Sequence, residues 1–184
     1  MRVVVAYVTL IFMARVLTFI GRRPQSVGDT LRSLFDPTFF LIGWASLLAF
    51  AAPLGEYLIF RWPQRFALNV AGGVIMLASG ALIAEANRAL GGAYTPYVNH
   101  QATTTALVTR GIYKYVRHPI YLAGFLLTGG AALMLNARLA WAFTLLAWGA
   151  LALRVRREER LLRANTPGYD EYMRRVKRFI PGVF

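Results

Sequence analysis

Five blocks of nearly unbroken apolar residues divide the chain, at residues 3–20, 37–60, 66–86, 119–135 and 137–155. A hydrocarbon core of about 30 Å takes roughly 20 helical residues to cross, and the blocks approach or exceed that length, the last two being short. Their apolarity is continuous and does not alternate with period two. The pattern therefore predicts helices and not barrel strands, as lipid allows no unpaired backbone. The expected architecture is an all-α integral membrane protein with five transmembrane helices. The last two form a short antiparallel hairpin that turns at residues 136 and 137, and an amphipathic tail helix follows over residues 168–179. This is one membrane domain, with three spans in residues 1–86 and the catalytic part (cytoplasmic loop, hairpin and tail) in residues 87–184. The first block follows Arg2, but it is longer than a signal h-region and no small-residue cleavage pattern follows it, so it is read as a retained span.

Composition agrees with that reading: 57% of the 184 residues are hydrophobic and 16% charged, more apolar matter than a soluble core of this size buries. There is no cysteine, and the two histidines are His100 and His118. Disulfides, thiol catalysis and the usual zinc constellations drop out, and no metal is expected. His100 sits in a polar loop and is read as having no role.

The net charge of +13 suggests nucleic acid until the charges are placed. With a cytoplasmic C-terminus, sixteen lysines and arginines fall inside: Arg22, Arg23 and Arg32, then Arg88, Arg110, Lys114 and Arg117, then nine from Arg154 onward. Only Arg2, Arg61, Arg65 and Arg138 fall outside, and Arg15 lies within the first block. That asymmetry predicts an exterior N-terminus and a cytoplasmic C-terminus, in a cell inner membrane or endomembrane. Membrane lipids are then partners, since anionic headgroups attract such residues by about 1 kcal/mol each, and no nucleic acid is needed. The long connections also lie inside, so the functional site is expected there.

Two motifs stand at that inner boundary. Pro119 suits the first position of a helix, which makes His118 its N-cap and sets Arg117 just before it, at the positive end of the helix dipole. From His118 to Asn136 is about 27 Å of helix at 1.5 Å per residue, and about 30 Å beyond Arg138 on the return path stand Glu158 and Glu159. "RHP" and "REERLL" should therefore face each other. Gly124, Thr128 and Ala132, spaced by four, offer a small-residue ridge for close helix contact. Plainer readings stand beside this one: Arg110, Lys114 and Arg117 as interfacial anchors, His118 as a simple cap, and Glu158 and Glu159 paired with Arg154 and Arg163 at helical spacing. Glu85, Asn87 and Arg88 reach the same depth at the end of the third block, where a functional role competes with snorkelling. Glu56, at the outer end of the second block, is read as structural.

The stretch "LVTRGIYKYVRHPIYLAG", followed by "REERLL" and "YDEYMRRVKRFIP", resembles the isoprenylcysteine carboxyl methyltransferase family and its relatives the phospholipid methyltransferases, over roughly residues 88–181. The resemblance implies an integral membrane enzyme that binds S-adenosyl-L-methionine between the last two helices and the tail. Carried over residue by residue, it implies Leu107, Val108 and Thr109 as part of the motif, and Gly111, Tyr113, His118, Pro119, Tyr121, Glu158 and Glu159 as cofactor-binding positions. Ile112 stands where the family usually has proline, Ala123 where it usually has glycine, and Asn165-Thr166 where it usually has Phe-Gly.

The chemistry of the cofactor matches these residue types. A helix N-terminus with His118 suits its carboxylate, Glu158 or Glu159 its ammonium or ribose diol, and Tyr113, Tyr115 or Tyr121 its adenine or cation. A carboxylate acceptor needs only an arginine to hold it, with Arg117, Arg88 and Arg154 as candidates. An amine or phenol needs a base, for which Glu85, Glu159 or His118 would serve. The leading expectation is methylation of a lipophilic acceptor, such as carboxyl O-methylation of an isoprenylcysteine-like substrate. The alternatives are a phospholipid N-methyltransferase, a nicotinamide-dependent sterol or enone reductase, and a non-enzymatic membrane scaffold.

Overall fold

A computed structural model describes residues 2–19, 37–90 and 107–180. Within them the chain is helical: α1 (Arg2–Phe19), α2 (Pro37–Phe60), α3 (Phe66–Leu90), a 3-10 turn (Gly111–Lys114), α4 (Pro119–Met134), α5 (Trp141–Asn165) and the short α6 (Tyr169–Arg175). His100 and the arginines at 22, 23 and 32 lie outside the described residues. Leu41–Phe60 and Phe66–Leu90 are long and apolar enough to cross a membrane, and Val3–Met13 and Pro119–Met134 are shorter apolar helices. Large apolar side chains cover the outside of the bundle, up to Phe66 at 81% exposed. Water penalises such a surface, and hydrocarbon does not.

The packing differs from a simple α4–α5 hairpin. The most extensive contact of α4 is with α3, and that of α5 is with α2. Glycine decides this: a Cβ added to Gly72 would lie 2.5 Å from the Gly130 carbonyl and 2.6 Å from Met134 Cα, so the α3 and α4 backbones touch because Gly72 carries no side chain. Ser79 Oγ donates to the Ala123 carbonyl across the same interface at 2.7 Å. Along the α4–α5 interface, Tyr121 meets Arg154, Gly124 meets Leu151, and Thr128 meets Trp148, so the two helices run antiparallel with bulky groups between them. The ridge at 124 and 128 does face α5, but it receives side chains there and not backbone.

At the end of the bundle where α4 leads into α5, polar groups fix the turn. Glu56, 6% exposed, accepts the backbone N–H groups of Arg138, Leu139 and Ala140 at 2.7–3.2 Å, and the indole N–H of Trp62 at 3.1 Å. It supplies acceptors for N–H groups around the start of α5, which no helical carbonyl can satisfy. Asn136, at φ 53°, accepts the Arg65 N–H at 2.8 Å and closes the end of α4 in the left-handed conformation that asparagine tolerates.

The tail departs from expectation. A helix to residue 179 is predicted, but α6 stops at Arg175, and residues 176–178 run extended beside residues 116–118. The N–H groups of Arg117 and His118 donate to the carbonyls of Lys177 and Arg178 at 2.9 and 3.1 Å. A parallel bridge thus replaces the last helical turn.

Gly72→Ala should cost about 2 kcal/mol of stability, because the methyl group overpacks a backbone contact. Gly43→Ala, with nothing within 4 Å of the added carbon, should gain about 0.5 kcal/mol from helix propensity. Thermal unfolding of the two variants in detergent checks both signs.

Candidate functional site

Glu159 is the centre of the end of the bundle at which α4 begins. It is 3% exposed, and both of its oxygens are taken. Oε1 accepts Arg117 Nε at 3.2 Å, Arg117 Nη2 at 2.8 Å and His118 Nε2–H at 3.1 Å. Oε2 accepts Arg178 Nε at 2.9 Å and Arg178 Nη2 at 2.5 Å. A carboxylate buried without partners would be prohibitive; five charge-assisted or ring N–H donors make it tolerable. Burial pushes its carboxyl upward, but the hydrogen bonds from His118, Arg178 and Arg117 outweigh that and hold its pKa well below the ordinary carboxylate range.

Each donor comes from a different local device. His118 occupies the N-cap position of α4, with Pro119 buried at the first helical position, but its side chain makes no capping bond and goes to Glu159 instead. Arg117 is buried, and its remaining Nη1 donates to the carbonyls of Met173, at 3.1 Å, and Val176, near the end of α6. One guanidinium therefore neutralises Glu159 and satisfies carbonyls that the last turn of a helix leaves open. Arg178 reaches the site because strand periodicity, not helical periodicity, governs residues 176–178: Val176 turns in, Lys177 out and Arg178 in. The Glu159 carboxylate also raises the Arg178 pKa.

Glu158, its neighbour, has a different environment. Its Oε2 is buried and has no hydrogen-bond partner among the described residues. The carboxyl lies beside the Tyr121 hydroxyl, which accepts Arg154 Nε at 3.0 Å. Around them stand aromatic rings: His118 meets Tyr121 edge-on at 5.7 Å and Phe179 at 6.3 Å, Phe125 meets Phe179 at 5.2 Å and Trp148 at 5.8 Å, and Trp148 meets Trp141 at 6.3 Å. An aromatic column thus runs between α4 and α5 from the turn to His118.

The other sequence candidates are spread more widely. Gly111 has φ 57°, and a Cβ there would come within 2.9 Å of Ala89 Cβ, so the 3-10 turn needs glycine to sit on the end of α3. Tyr113 is buried against Ala86 and Ala89, and its carbonyl accepts the Tyr172 hydroxyl at 2.7 Å. Glu85 and Arg88 form an exposed pair at 3.6 Å on α3, and Arg163 pairs with Asp170 at 2.8 Å, not with Glu159. Tyr115 is exposed. Arg178 and Phe179 are the contributors that a helical reading of the tail passes over.

Replacing Glu159 by alanine should destabilise the fold by about 3 to 5 kcal/mol, because Arg117 would be left buried without its counter-charge. The depressed carboxyl also gives a pH signature. Its contribution is complete above the unfolded carboxyl value of about 4.3 and is lost as pH falls through the lower folded value. Unfolding midpoints measured from pH 6 downward should fall less steeply in Glu159→Gln than in the wild type.

Among the described residues, no three His, Cys, Asp or Glu side chains cluster as metal ligands. Residues 68–165, which carry the 3-10 turn, α4 and both glutamates, match the family model described as phospholipid methyltransferase. The nickel-cobalt-cadmium resistance protein NccN of Alcaligenes xylosoxydans xylosoxydans is 40% identical over 42% of this chain and 37% of its own length. A probable protein-S-isoprenylcysteine O-methyltransferase of Oryza sativa subsp. indica is 31% identical over 60% of both chains. The protein-S-isoprenylcysteine O-methyltransferase of Dictyostelium discoideum is 27% identical over 76% of this chain and 60% of its own. The chain thus spans between about a third and three-fifths of these relatives. With its matched segment centred on the helices that hold His118, Glu158 and Glu159, the chain belongs to the phospholipid methyltransferase family.

Proposed function

We propose that this chain is an S-adenosylmethionine-dependent methyltransferase acting on a lipophilic acceptor at the cytoplasmic face of a membrane, with five spans, an exterior N-terminus and a cytoplasmic C-terminus. The observation that carries the reading is the unpartnered oxygen of Glu158 beside a Glu159 whose oxygens are both occupied. A buried acceptor of that kind fits the ammonium or ribose hydroxyls of the cofactor. Glu158, the Tyr121 ring and the first N–H groups of α4 would hold it. When bound, the cofactor supplies an electrophilic methyl group on a sulfonium.

The roles of the charged residues then divide. Glu159, Arg117 and Arg178 are positioning groups, since their charges are spent on one another. Arg154, already at Tyr121, is better situated than Arg88 or Glu85 to orient an acceptor carboxylate, which is a nucleophile at neutral pH and needs no base. The aromatic column offers a prenyl or acyl chain an apolar wall up to the site. The exposed face of α5 supports the depth: Leu145, Leu146 and Leu153 give way within one turn to exposed Arg156, Arg160 and Arg163. With the change from hydrocarbon to headgroups taken between residues 153 and 156, Glu159 would stand about 7 Å into the polar layer, by helical rise. Carboxyl O-methylation is favoured by the names of the plant and Dictyostelium relatives, and phospholipid N-methylation is the second reading, favoured by the family description.

The purified protein should gain about 2.7 kcal/mol of stability at a hundredfold excess of S-adenosylmethionine over its Kd, and nothing from a reduced nicotinamide cofactor. Glu158→Gln should weaken that binding at least tenfold with little change in the unliganded midpoint. Stabilisation by the nicotinamide alone would overturn the reading, and a C-terminal reporter active only outside would overturn the orientation.

A further inference from the structure

Tyr169 begins α6, directly after Gly168, which takes φ 80° to turn the chain back onto α5. Its side chain is 3% exposed and packs with Tyr172, Val176, Leu107, Leu162 and Met173. Yet its hydroxyl has no hydrogen-bond partner among the described residues. The contrast with Tyr172, three residues on, is informative. That hydroxyl donates to the Tyr113 carbonyl at 2.7 Å and ties α6 to the 3-10 turn. Tyr169 has the same burial and no such bond.

Burying a hydroxyl without a partner is unfavourable, so a native fold that does so calls for an explanation. Packing alone gives none, because phenylalanine would fill the same space. The surroundings indicate the direction: besides burial, the charges of Glu159 and Glu158 push the Tyr169 phenol up, while Arg117 opposes them. The hydroxyl therefore stays protonated and lies within electrostatic reach of the carboxyl pair. Packing agrees: Tyr169 shares its cluster with Met173 and Val176, whose carbonyls hold the Arg117 that binds Glu159, so the two buried oxygens without partners, Glu158 Oε2 on α5 and Tyr169 Oη on α6, are both set about that centre. One is an acceptor and the other a donor, and they are not bonded to each other.

We infer that Tyr169 is a ligand-binding residue that donates its hydroxyl to an oxygen of the bound methyl donor, while Glu158 accepts from a neighbouring N–H or O–H of the same molecule. The ligand must present a donor and an acceptor close together. Both the amino-acid end of S-adenosylmethionine and its ribose diol do so. This rests on the methyltransferase reading but extends it beyond residues 68–165, the segment matched to the family. It also gives α6 a function: it closes the site from the tail side.

The test is Tyr169→Phe in the full chain, with titration calorimetry for binding and thermal unfolding of the unliganded protein for stability. S-adenosylhomocysteine should bind about tenfold more weakly, the loss expected of one good hydrogen bond, while the unliganded midpoint should stay level or rise because an unsatisfied hydroxyl has been removed. Tyr172→Phe should show the reverse, a lower midpoint through loss of its bond to Tyr113. Repeating the titration with 5′-methylthioadenosine, which lacks the amino-acid end, separates the two sources: a loss confined to S-adenosylhomocysteine assigns Tyr169 to the amino-acid end, and a loss with both assigns it to the nucleoside. Unchanged affinity of Tyr169→Phe for both ligands would overturn the inference and leave the methyltransferase reading standing. Failure of the wild type to bind either would remove both.

Discussion

The Glu159 carboxylate is the constraint around which the end of the bundle at the start of α4 is built. It is an ion taken out of water, and its burial is tolerable only if donors surround both oxygens. Those donors come from before α4 and from the tail after α6, so the loop before Pro119, the C-terminal half of α5 and residues 176–178 must all meet at one place. Arg117 binds the arrangement more tightly, since the guanidinium that neutralises Glu159 also holds carbonyls near the end of α6. No part of this network is satisfied without the rest. That interdependence leaves Glu158 as the carboxylate with an oxygen to spare.

A second buried carboxylate governs the other end. Glu56 of α2 accepts the N–H groups that lead into α5. The start of α5 is thus fixed to α2 and its far end to the segment before α4. Glycine sets the lateral arrangement: contact at Gly72 and Gly130 draws α3 and α4 together, and the aromatic rings on α4 and α5 keep those two helices apart. The separation is what leaves room for the column of rings from Trp141 to Phe179. A tight α4–α5 hairpin would have no space for them.

Much of this was legible in the residue pattern. The second apolar block coincides with α2, and α1, α3 and α4 depart from their blocks by at most a few residues, because continuous apolarity in a chain that must satisfy its own backbone leaves little choice but helix. Pro119 at the start of α4, the antiparallel return, and the meeting of His118 with Glu159 followed from helical rise and one tight turn. The tail was less legible. Residues 169–176 carry a helical pattern of apolar positions, but the backbone bonds between residues 117–118 and 177–178 end the helix early and change the period from 3.6 to 2.

The sequence by itself determined the helical class, the meeting of the polar motifs at one level of the bundle and the residue types available for chemistry, because these depend on local hydropathy, helical rise and chain length. Which of two adjacent glutamates is saturated and which keeps an open oxygen, whether Arg117 is spent on structure, and that Arg178 and Tyr169 join the site were decided only by tertiary structure. Those outcomes depend on which donors reach which acceptors across forty or sixty residues of chain, and spacing along one helix carries no record of that.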